Sequence, residues 1–207
     1  MLDSIINEFD KALKVLTVFS PPQRLRPDSN EKDSYTLNSE ECEIHSKYMR
    51  VNHSGEVCAQ ALYRGQLFFN KNKEIHKQLE KAANEELDHL SWCQSRIKEL
   101  DGHTSYLNVF LYAGSFAIGS IASIIDEKYN LGFLSETEKQ VSSHLEDHLS
   151  KISAKDKKTI AIIKQMKKDE EMHEAEAKIM GARELPDSVQ KIMKFTSKIM
   201  TSATFRI

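Results

Sequence analysis

The sequence predicts an all-α fold, a four-helix bundle with additional N- and C-terminal helices. Apolar residues recur in steps of three and four over long stretches, which is the period of amphipathic helices. Only four prolines and seven glycines occur, and strand-like alternation is rare. A length of 207 residues with 40% hydrophobic content gives one domain, with or without appendages, and enough apolar material for a core.

The charge balance and the cysteines argue against several functional classes. The formal net charge of −2 lacks the basic surplus of nucleic-acid-binding proteins, so we expect no nucleic-acid partner. Cys42, Cys58 and Cys93 are odd in number and have no Cys-x-x-Cys spacing. A disulfide framework, a zinc ribbon and a rubredoxin-type iron site are therefore not expected, and the compartment is predicted to be reducing.

Residues 1–37 are predicted to form an amphipathic helix and a linker, ahead of a bundle domain over residues 38–207. Apolar positions in 1–19 follow helical spacing, but the acidic start and the missing cleavage site argue against a signal peptide. The helix either packs on the core or anchors in a membrane interface. Residues 20–37 contain three of the four prolines and many charges, which favours a linker without its own core.

Two long helices are predicted at the start of the bundle domain. Asn38 followed by Glu41 is a capping-box pattern, and it opens a helix that ends near Asn70. The next helix covers about 72–100, and Gly102 is predicted to supply its left-handed cap.

Residues 106–125 form a run of twenty positions without a charged side chain. By length alone the run would pass for a membrane span. Asn108 and several glycines and serines lower its hydrophobicity, and small residues also suit close helix packing. We therefore favour a buried or membrane-dipping helix over a true span.

A further helix is predicted over 135–152, with Glu138 interrupting its apolar stripe. Ser135 and Glu138 also match a capping box, so a structural role for Glu138 stays open. Glu136 falls on the polar side and is the poorer candidate for a metal ligand. His144 is either a partner of a ligand or simply structural.

The C-terminal segment is predicted to be an amphipathic helix. Its apolar residues are Val189, Ile192, Met193, Ile199 and Met200, and its lysines are Lys191, Lys194 and Lys198. Such a helix suits the headgroup region of a membrane. The alternative is burial within the chain or in a dimer interface, which would make the protein a homo-oligomer.

Two Glu-x-x-His motifs, Glu86 to His89 and Glu170 to His173, carry the strongest functional signal. Residues three apart share a helix face, so each motif can aim both side chains at one metal ion. The motifs interrupt apolar stripes that run through Leu79, Ala82, Glu86, His89, Cys93, Ile97 and Leu100, and through Ile160, Ile163, Met166, Glu170, His173, Ala177 and Met180. Unpaired charges in a core are costly, and a bound cation removes that cost.

The motifs belong to an internal repeat. Glu56 precedes Glu86 by 30 positions, and Glu138 precedes Glu170 by 32. Each half is thus a helix with one glutamate followed by a helix with Glu-x-x-His, which is the pattern of ferritin-like di-iron and di-manganese proteins. Four carboxylates balance two divalent ions, and oxygen-rich ligation with two imidazoles favours iron or manganese.

Several segments also match a known family. They are Arg50 to Glu56, Ala59 to Gln66, Glu86 to Cys93, Tyr112 to Ala117, and Gly132 to Glu138. From about residue 39 to its C-terminus the chain resembles the di-iron demethoxyubiquinone hydroxylases of ubiquinone biosynthesis. One departure is Cys58, where glycine is expected, and it lies on a different helix face from Glu56.

The resemblance implies a ferritin-like, O2-dependent monooxygenase that hydroxylates the ring of a polyprenyl methoxybenzoquinone. It implies two iron ions and six ligands, which the stripes also select: Glu56, Glu86, His89, Glu138, Glu170 and His173. Reduced nicotinamide is the expected electron source, although no Gly-x-Gly-x-x-Gly fingerprint occurs. A bilayer-resident substrate implies a peripheral protein at the cytoplasmic face of the bacterial inner membrane.

Two alternatives come from other functional classes. A ferritin-like ferroxidase or iron-binding protein would use the same ligands, but it needs no surface for an apolar substrate, so the run 106–125 argues against it. A non-enzymatic membrane protein that handles quinones would keep this run without needing six ligands.

Asp169 directly precedes a predicted ligand, Glu170. It either accepts the free imidazole N–H of His89 or a neighbour, which would fix the orientation of that ring, or is a surface carboxylate among lysines.

Overall fold

The all-α prediction is confirmed by the computed structural model, which describes residues 2–17, 21–31, 36–70 and 72–207. Within these ranges the chain forms helices and no strand. The helices are α1 (Leu2–Thr17), α2 (Ser39–Phe69), α3 (Lys73–Glu99), α4 (Asn108–Ile125), α5 (Glu127–Lys151), α6 (Lys157–Ile179) and α7 (Asp187–Thr204).

Two helix pairs, α2 with α3 and α5 with α6, build the bundle, as the internal repeat predicts. Further contacts join α2 to α5 and α3 to α6, so the two pairs pack against each other. Helix α4 packs along α2 and connects the two halves. The capping box at the start of α2 is confirmed, because Asn38 accepts from the Glu41 amide and Glu41 accepts from the Asn38 amide.

The predicted stripes face the core, and their glutamates lie in a layer between two apolar clusters. Along α2, Met49 belongs to one cluster and Tyr63 to the other. Along α3, Leu79 and Trp92 are divided in the same way. Because each helix passes from one cluster to the other, the carboxylates between them are closed off from solvent on both sides.

The prediction that Gly102 caps α3 in the left-handed conformation is wrong. The left-handed residue is Asp101, with a φ of 55°. Gly102 is required for space instead, because a Cβ there would lie 2.7 Å from Cβ of Ser46.

The predicted start of α5 is also wrong. The helix begins at Glu127, and the side chain of Asp126 caps it by accepting from two backbone amides. Ser135 therefore lies inside the helix, so the capping-box alternative for Glu138 does not hold. The helix carries Glu138 into the core, where 1% of its surface is exposed.

The uncharged run forms α4, which approaches α2 closely through glycines. A Cβ at Gly119 would clash with the carbonyl oxygen of Leu62, and one at Gly65 would clash with that of Phe116. The opposite face is open, with Phe110 77% exposed, so the alternative of a buried helix is wrong. By length and composition alone, α4 qualifies as a membrane-spanning helix.

The N-terminal part packs on the bundle in two places. Helix α1 buries Val15 and pairs Glu8 with Arg64 of α2, while Ile6 and Phe9 stay exposed. One face of α1 thus packs on the core, and an apolar face remains free for a membrane. Residues 21–31 of the predicted linker form no helix and are held against α3 by ion pairs.

Candidate metal centre

The six predicted ligands come together in two buried clusters that share two glutamates. The clusters are Glu56, Glu86, His89 and Glu170, and Glu86, Glu138, Glu170 and His173. In each cluster the possible ligand atoms lie within 4.8 Å of one another. Glu86 and Glu170 belong to both clusters. Each of them directs one carboxylate oxygen at His89 and the other at His173. We call these the His89 cluster and the His173 cluster.

His89 directs its Nδ1 atom at the carboxylates. This atom lies 2.8 Å from Oε2 of Glu86, 3.3 Å from Oε1 of Glu170 and 3.8 Å from Oε2 of Glu56. The other ring nitrogen, Nε2, lies 2.9 Å from Oδ2 of Asp169. When Nε2–H donates to Asp169, Nδ1 keeps the lone pair that a metal ion requires.

His173 repeats this arrangement from the other half of the bundle. Its Nδ1 atom lies 3.1 Å from Oε1 of Glu86 and 3.5 Å from Oε2 of Glu170. Its Nε2 atom lies 2.7 Å from Oε2 of Glu85. Each histidine is thus oriented by the acidic residue that precedes the glutamate of the other motif.

Asp169 is a buried member of this site, and its interpretation as a surface carboxylate is wrong. Its Oδ2 atom faces His89 and also accepts from Nη1 of Arg24 at 2.8 Å, while Oδ1 accepts from Nε2 of Gln165 at 2.8 Å. Burial opposes the charge of Asp169, but the hydrogen bonds from His89 and Arg24 outweigh it and lower its pKa.

Tyr63 contacts Glu138, one of the six candidate ligands. Its phenolic O–H donates to Oε1 of Glu138, and both side chains are buried. Burial, together with the negative charges of Glu138 and Glu86, raises the pKa of Tyr63 well above its ordinary value. Tyr63 therefore remains a proton donor to Glu138 at neutral pH.

The carboxylate layer requires positive charge. Burial raises the pKa of Glu56 and of Glu138 well above the ordinary value, and repulsion from the shared glutamates adds to this. Burial also opposes the charge of Glu86, but attraction to His89 outweighs it and holds the pKa of Glu86 well below the ordinary value. Burial lowers the pKa of His173, but attraction to the shared glutamates, whose oxygens lie 3.1 and 3.5 Å from its Nδ1 atom, raises it to about 12. Protons meet the demand for positive charge here, and metal cations would meet it equally.

Unpartnered polar atoms make the same point. Oε1 of Glu86, Oε2 of Glu170 and Nδ1 of His173 are buried, and although the two oxygens lie 3.1 and 3.5 Å from Nδ1, none of the three atoms makes a well-aligned hydrogen bond. Buried polar atoms without a partner are rare in folded proteins, and each one costs free energy. Carboxylate oxygens combined with imidazole nitrogens suit divalent iron or manganese. The residues present therefore fit metal ions in both clusters.

Three residues of the site escape prediction from the sequence. Glu85 stands before Glu86 as Asp169 stands before Glu170, so the internal repeat contains a signal for it. Tyr63 lies on the same face of α2 as Glu56 and looks like an ordinary core aromatic. Arg24 lies in a proline-rich segment, where no periodicity indicates its partners.

Three other candidates lie outside both clusters. Glu136 accepts from Nε2 of Gln140 at 2.7 Å, in agreement with its predicted place on the polar side of α5. Cys58 is half-buried on α2, away from the ligand face. His144 lies beside His148, with ring centroids 3.9 Å apart, and within the described part of the chain no hydrogen bond joins it to any of the six candidate ligands, which favours the structural alternative.

A surface pocket between α5 and α7 has a volume of ≈ 970 Å³, and none of the six candidate ligands lines it. The predicted lysine face of α7 lines this pocket with Lys191, Lys194 and Lys198. On the other side of α7, Ile192 is 62% exposed and Ile199 is 54% exposed. The alternative that the apolar face of α7 is buried within one chain is therefore wrong. Contact of this face with a membrane or with a second copy of the chain remains a prediction.

Comparison with known proteins agrees with the resemblance found in the sequence. The model of the family described as "Ubiquinone biosynthesis protein COQ7" matches residues 43–204. The chain is 46% identical over 206 residues to the 3-demethoxyubiquinol 3-hydroxylase of Polynucleobacter necessarius, covering 100% of this chain and 99% of the relative.

Other relatives carry the same name and match over all or nearly all of their length. The enzyme of Azoarcus sp. is 44% identical, with 100% of both chains covered. The enzyme of Legionella pneumophila is 45% identical, with 100% of this chain and 97% of the relative covered. The chain belongs to the COQ7 family of ubiquinone biosynthesis proteins.

Proposed function

We propose that this chain is a di-iron monooxygenase that uses O2 to hydroxylate the ring of a polyprenyl methoxybenzoquinone or its quinol. Family membership makes it a hydroxylase of ubiquinone biosynthesis, and the relatives' name points to the quinol as the form that reacts. The observation that carries the di-iron part is the sharing of Glu86 and Glu170 by two buried clusters. The alternatives of a ferroxidase and of a non-enzymatic protein do not explain why the chain belongs to a family of ubiquinone biosynthesis hydroxylases.

The residues that would hold the metal ions follow from the clusters. One iron would be held by Glu56 and His89, the other by Glu138 and His173, and the shared glutamates would contact both. Bound iron supplies open coordination positions and electrons for the activation of O2. The net reaction consumes O2, two electrons and two protons, inserts one oxygen atom into a ring C–H bond and releases water.

The chain's own side chains keep the site dry and oriented. Trp92, Cys93 and Met166 are buried in the apolar cluster on one side of the carboxylate layer. Tyr63 belongs to the cluster on the other side and keeps its proton on Oη, where it donates to Glu138. Exclusion of water strengthens these electrostatic contacts and protects reactive species from side reactions.

The substrate ring would approach beside Glu138. A small gap there, lined by Leu62, Tyr63, Phe133 and Leu134 among others, has a volume of ≈ 10 Å³. Such a gap holds about one water molecule, so a quinone ring enters only if these side chains move apart. The gap lies where α2 and α5 face each other, and α4 packs against the same part of α2.

The polyprenyl tail of the substrate would be taken from a membrane. We expect peripheral binding at the cytoplasmic face of the bacterial inner membrane, through the exposed faces of α1 and α4. Phe9 on α1 is 64% exposed, and Phe110 and Ile124 on α4 are 77% and 64% exposed. Apolar faces of this kind partition into the interface between headgroups and acyl chains. Flotation with anionic vesicles tests this: binding should weaken in Phe110→Asp, and a protein that stays in the soluble fraction would remove this part.

The hydroxylation itself is tested by anaerobic reconstitution with ferrous iron, followed by ¹⁸O2, reduced nicotinamide and a short-chain demethoxyubiquinol. We expect one labelled oxygen in the product and consumption of nicotinamide in step with product. Glu138→Gln should abolish product formation. Glu136→Gln, two residues away on the same helix and outside both clusters, serves as the matched control. Product without label, or equal activity of the two variants, would contradict the proposal.

A further inference from the structure

The N-terminal segment 21–31 supports one metal cluster and not the other. We propose that Arg24 is a positioning residue for the His89 cluster: it fixes Asp169, and through Asp169 the ring of His89. The inference rests on the proposed function, since it requires that both clusters hold metal.

Arg24 bridges two helices with one guanidinium group. Its Nε atom donates to Oδ2 of Asp88 on α3 at 2.8 Å, and its Nη1 atom donates to Oδ2 of Asp169 on α6 at 2.8 Å. Both carboxylates are 3% exposed. The guanidinium also lies over the ring of Trp92, 4.9 Å from its centroid. A planar fork with several donors can make these contacts at once, whereas a lysine ammonium on a flexible stem cannot replace the whole set.

The backbone of the segment is held at the same place. The amide of Gln23 donates to Oδ1 of Asp88 at 2.6 Å, and that of Arg24 donates to Oδ2 at 3.3 Å. Asp88 therefore fixes the start of the arginine side chain as well as its end. Asp88 of α3 thus holds Arg24 in the position from which its guanidinium contacts Asp169 on α6.

Arg24 and His89 contact the same atom, Oδ2 of Asp169. Oδ2 of Asp169 accepts from Nη1 of Arg24 and faces Nε2 of His89 at 2.9 Å. Without Arg24, Gln165 would hold only the other oxygen, Oδ1. The carboxylate would then be free to turn toward solvent, and His89 would lose the partner that selects its tautomer.

The His173 cluster lacks a support of this kind. His173 is oriented by Glu85, whose side chain is 22% exposed. Among the described residues no arginine side chain contacts that carboxylate, although Nη2 of Arg24 lies 3.4 Å from the backbone carbonyl of Glu85. Loss of Arg24 should therefore weaken one metal site more than the other.

Arg26 provides a matched control within the same segment. Its guanidinium pairs with Asp28, which is 2% exposed, and reaches Oε1 of Glu99 at 2.6 Å. It anchors the segment to the end of α3 and touches no residue of either metal cluster. Replacing Arg26 loosens the segment without removing the contact to Asp169.

The test is an anaerobic titration of the apoprotein with ferrous iron against a competing chelator. For Arg24→Ala we expect the affinity of one of two ions to fall about 10-fold, the lower end of the 10- to 100-fold effect of removing a group bonded directly to a metal ligand, because Arg24 acts through Asp169. The second ion should keep its affinity. Arg24→Lys should fall between this variant and the wild type, and Arg26→Ala should bind both ions as the wild type does.

The outcomes separate the inference from the proposed function. A wild-type chain that binds no iron defeats the proposed function. Wild-type binding with unchanged affinities in Arg24→Ala, or an equal loss in Arg24→Ala and Arg26→Ala, overturns only the inference. Circular dichroism checks the helical fold. If Arg24→Ala does not fold, Arg24→Lys decides, because wild-type affinity for both ions in this variant would overturn the inference.

Discussion

The His89 cluster and the His173 cluster are built from the same motif, yet their surroundings differ. His89 is oriented by Asp169, which is buried and also contacts Arg24 and Gln165. His173 is oriented by Glu85, which is partly exposed. A repeated sequence thus produces two similar sets of ligands, and the segment outside the repeat makes their environments unequal.

The difference teaches where the symmetry of the bundle ends. Ligands on helices inherit their positions from helix periodicity, so both halves present one glutamate and one Glu-x-x-His to the core. The groups that orient the histidines depend on what covers each helix pair. Segment 21–31 covers α3 near Asp88, and nothing in the repeat determines where this segment lies.

The largest expected effect comes from a glutamate that both clusters share. Glu170→Ala should abolish the binding of both metal ions and the activity, because this carboxylate belongs to both clusters. His173→Ala removes a ligand from one cluster only, so we expect one ion to be retained while activity is lost. Metal analysis of the two purified variants measures this. Both should keep the helical spectrum, and two ions in either variant would contradict the ligand assignment.

The next effect concerns the groups that orient the histidines. Asp169→Asn should weaken binding of one ion about 10- to 100-fold, since the amide no longer offers a charged acceptor to His89. Glu85→Gln should have a smaller effect, because solvent already reaches Glu85 and can partly replace it. Competitive metal titration of both variants compares them. Equal losses would mean that burial and Arg24 add nothing to the His89 cluster.

A satisfied buried carboxylate provides a contrast to the metal clusters. Asp156 accepts from Nη2 of Arg96 at 2.7 Å and from the amide of Thr159 at 2.9 Å, and it lies 2.7 Å from Nδ1 of His45. Burial raises the pKa of Asp156, but these hydrogen bonds outweigh it and lower the pKa to about 2. The charge of Asp156 thus already has its partners and needs no metal ion.

Replacing Asp156 should reduce stability without changing metal affinity. A folded pKa below the ordinary value stabilises the fold above about pH 4, and this contribution is lost as the pH falls through about 2. Asp156→Asn should therefore cost about 2 kcal/mol at pH 7 and progressively less in acid. Denaturant unfolding at pH 7 and at pH 3 measures the change. A change in iron affinity would show that the two regions are coupled.

Much of the site can be predicted from the sequence, because its residues lie on helices whose apolar periodicity shows which positions face the core. The stripes place Glu86 and Glu170 in the core, and the repeat adds Glu56 and Glu138 with matching spacing. The metal partners of these residues stay a prediction that binding experiments must test. Arg24 could not be found in this way, since its contacts depend on a non-helical segment folding back onto α3.

The start of α5 and the cap of α3 show another limit. Residues 127–134 form the first two turns of α5, ahead of the stripe that contains Glu138. No glycine or proline marks in the sequence where α4 ends and α5 begins. At the end of α3 the sequence offers Asp101 and Gly102, and both residue types tolerate the left-handed region. Tertiary packing decides between them, because Gly102 is pressed against Ser46 of α2.

The smallest expected effect tests whether a negative charge beside Glu170 is sufficient to support iron binding, without a hydrogen bond to His89. Glu171 flanks Glu170 on one side as Asp169 does on the other, but it points outward, where it accepts from Nζ of Lys167 at 2.7 Å. Exposed pairs of this kind contribute little to stability. Glu171→Gln should therefore leave iron affinity within about twofold and stability within about 0.5 kcal/mol. The same titration used for Asp169→Asn measures it. A loss as large as that of Asp169→Asn would mean that the local negative charge, and not the hydrogen bond to His89, makes Asp169 important.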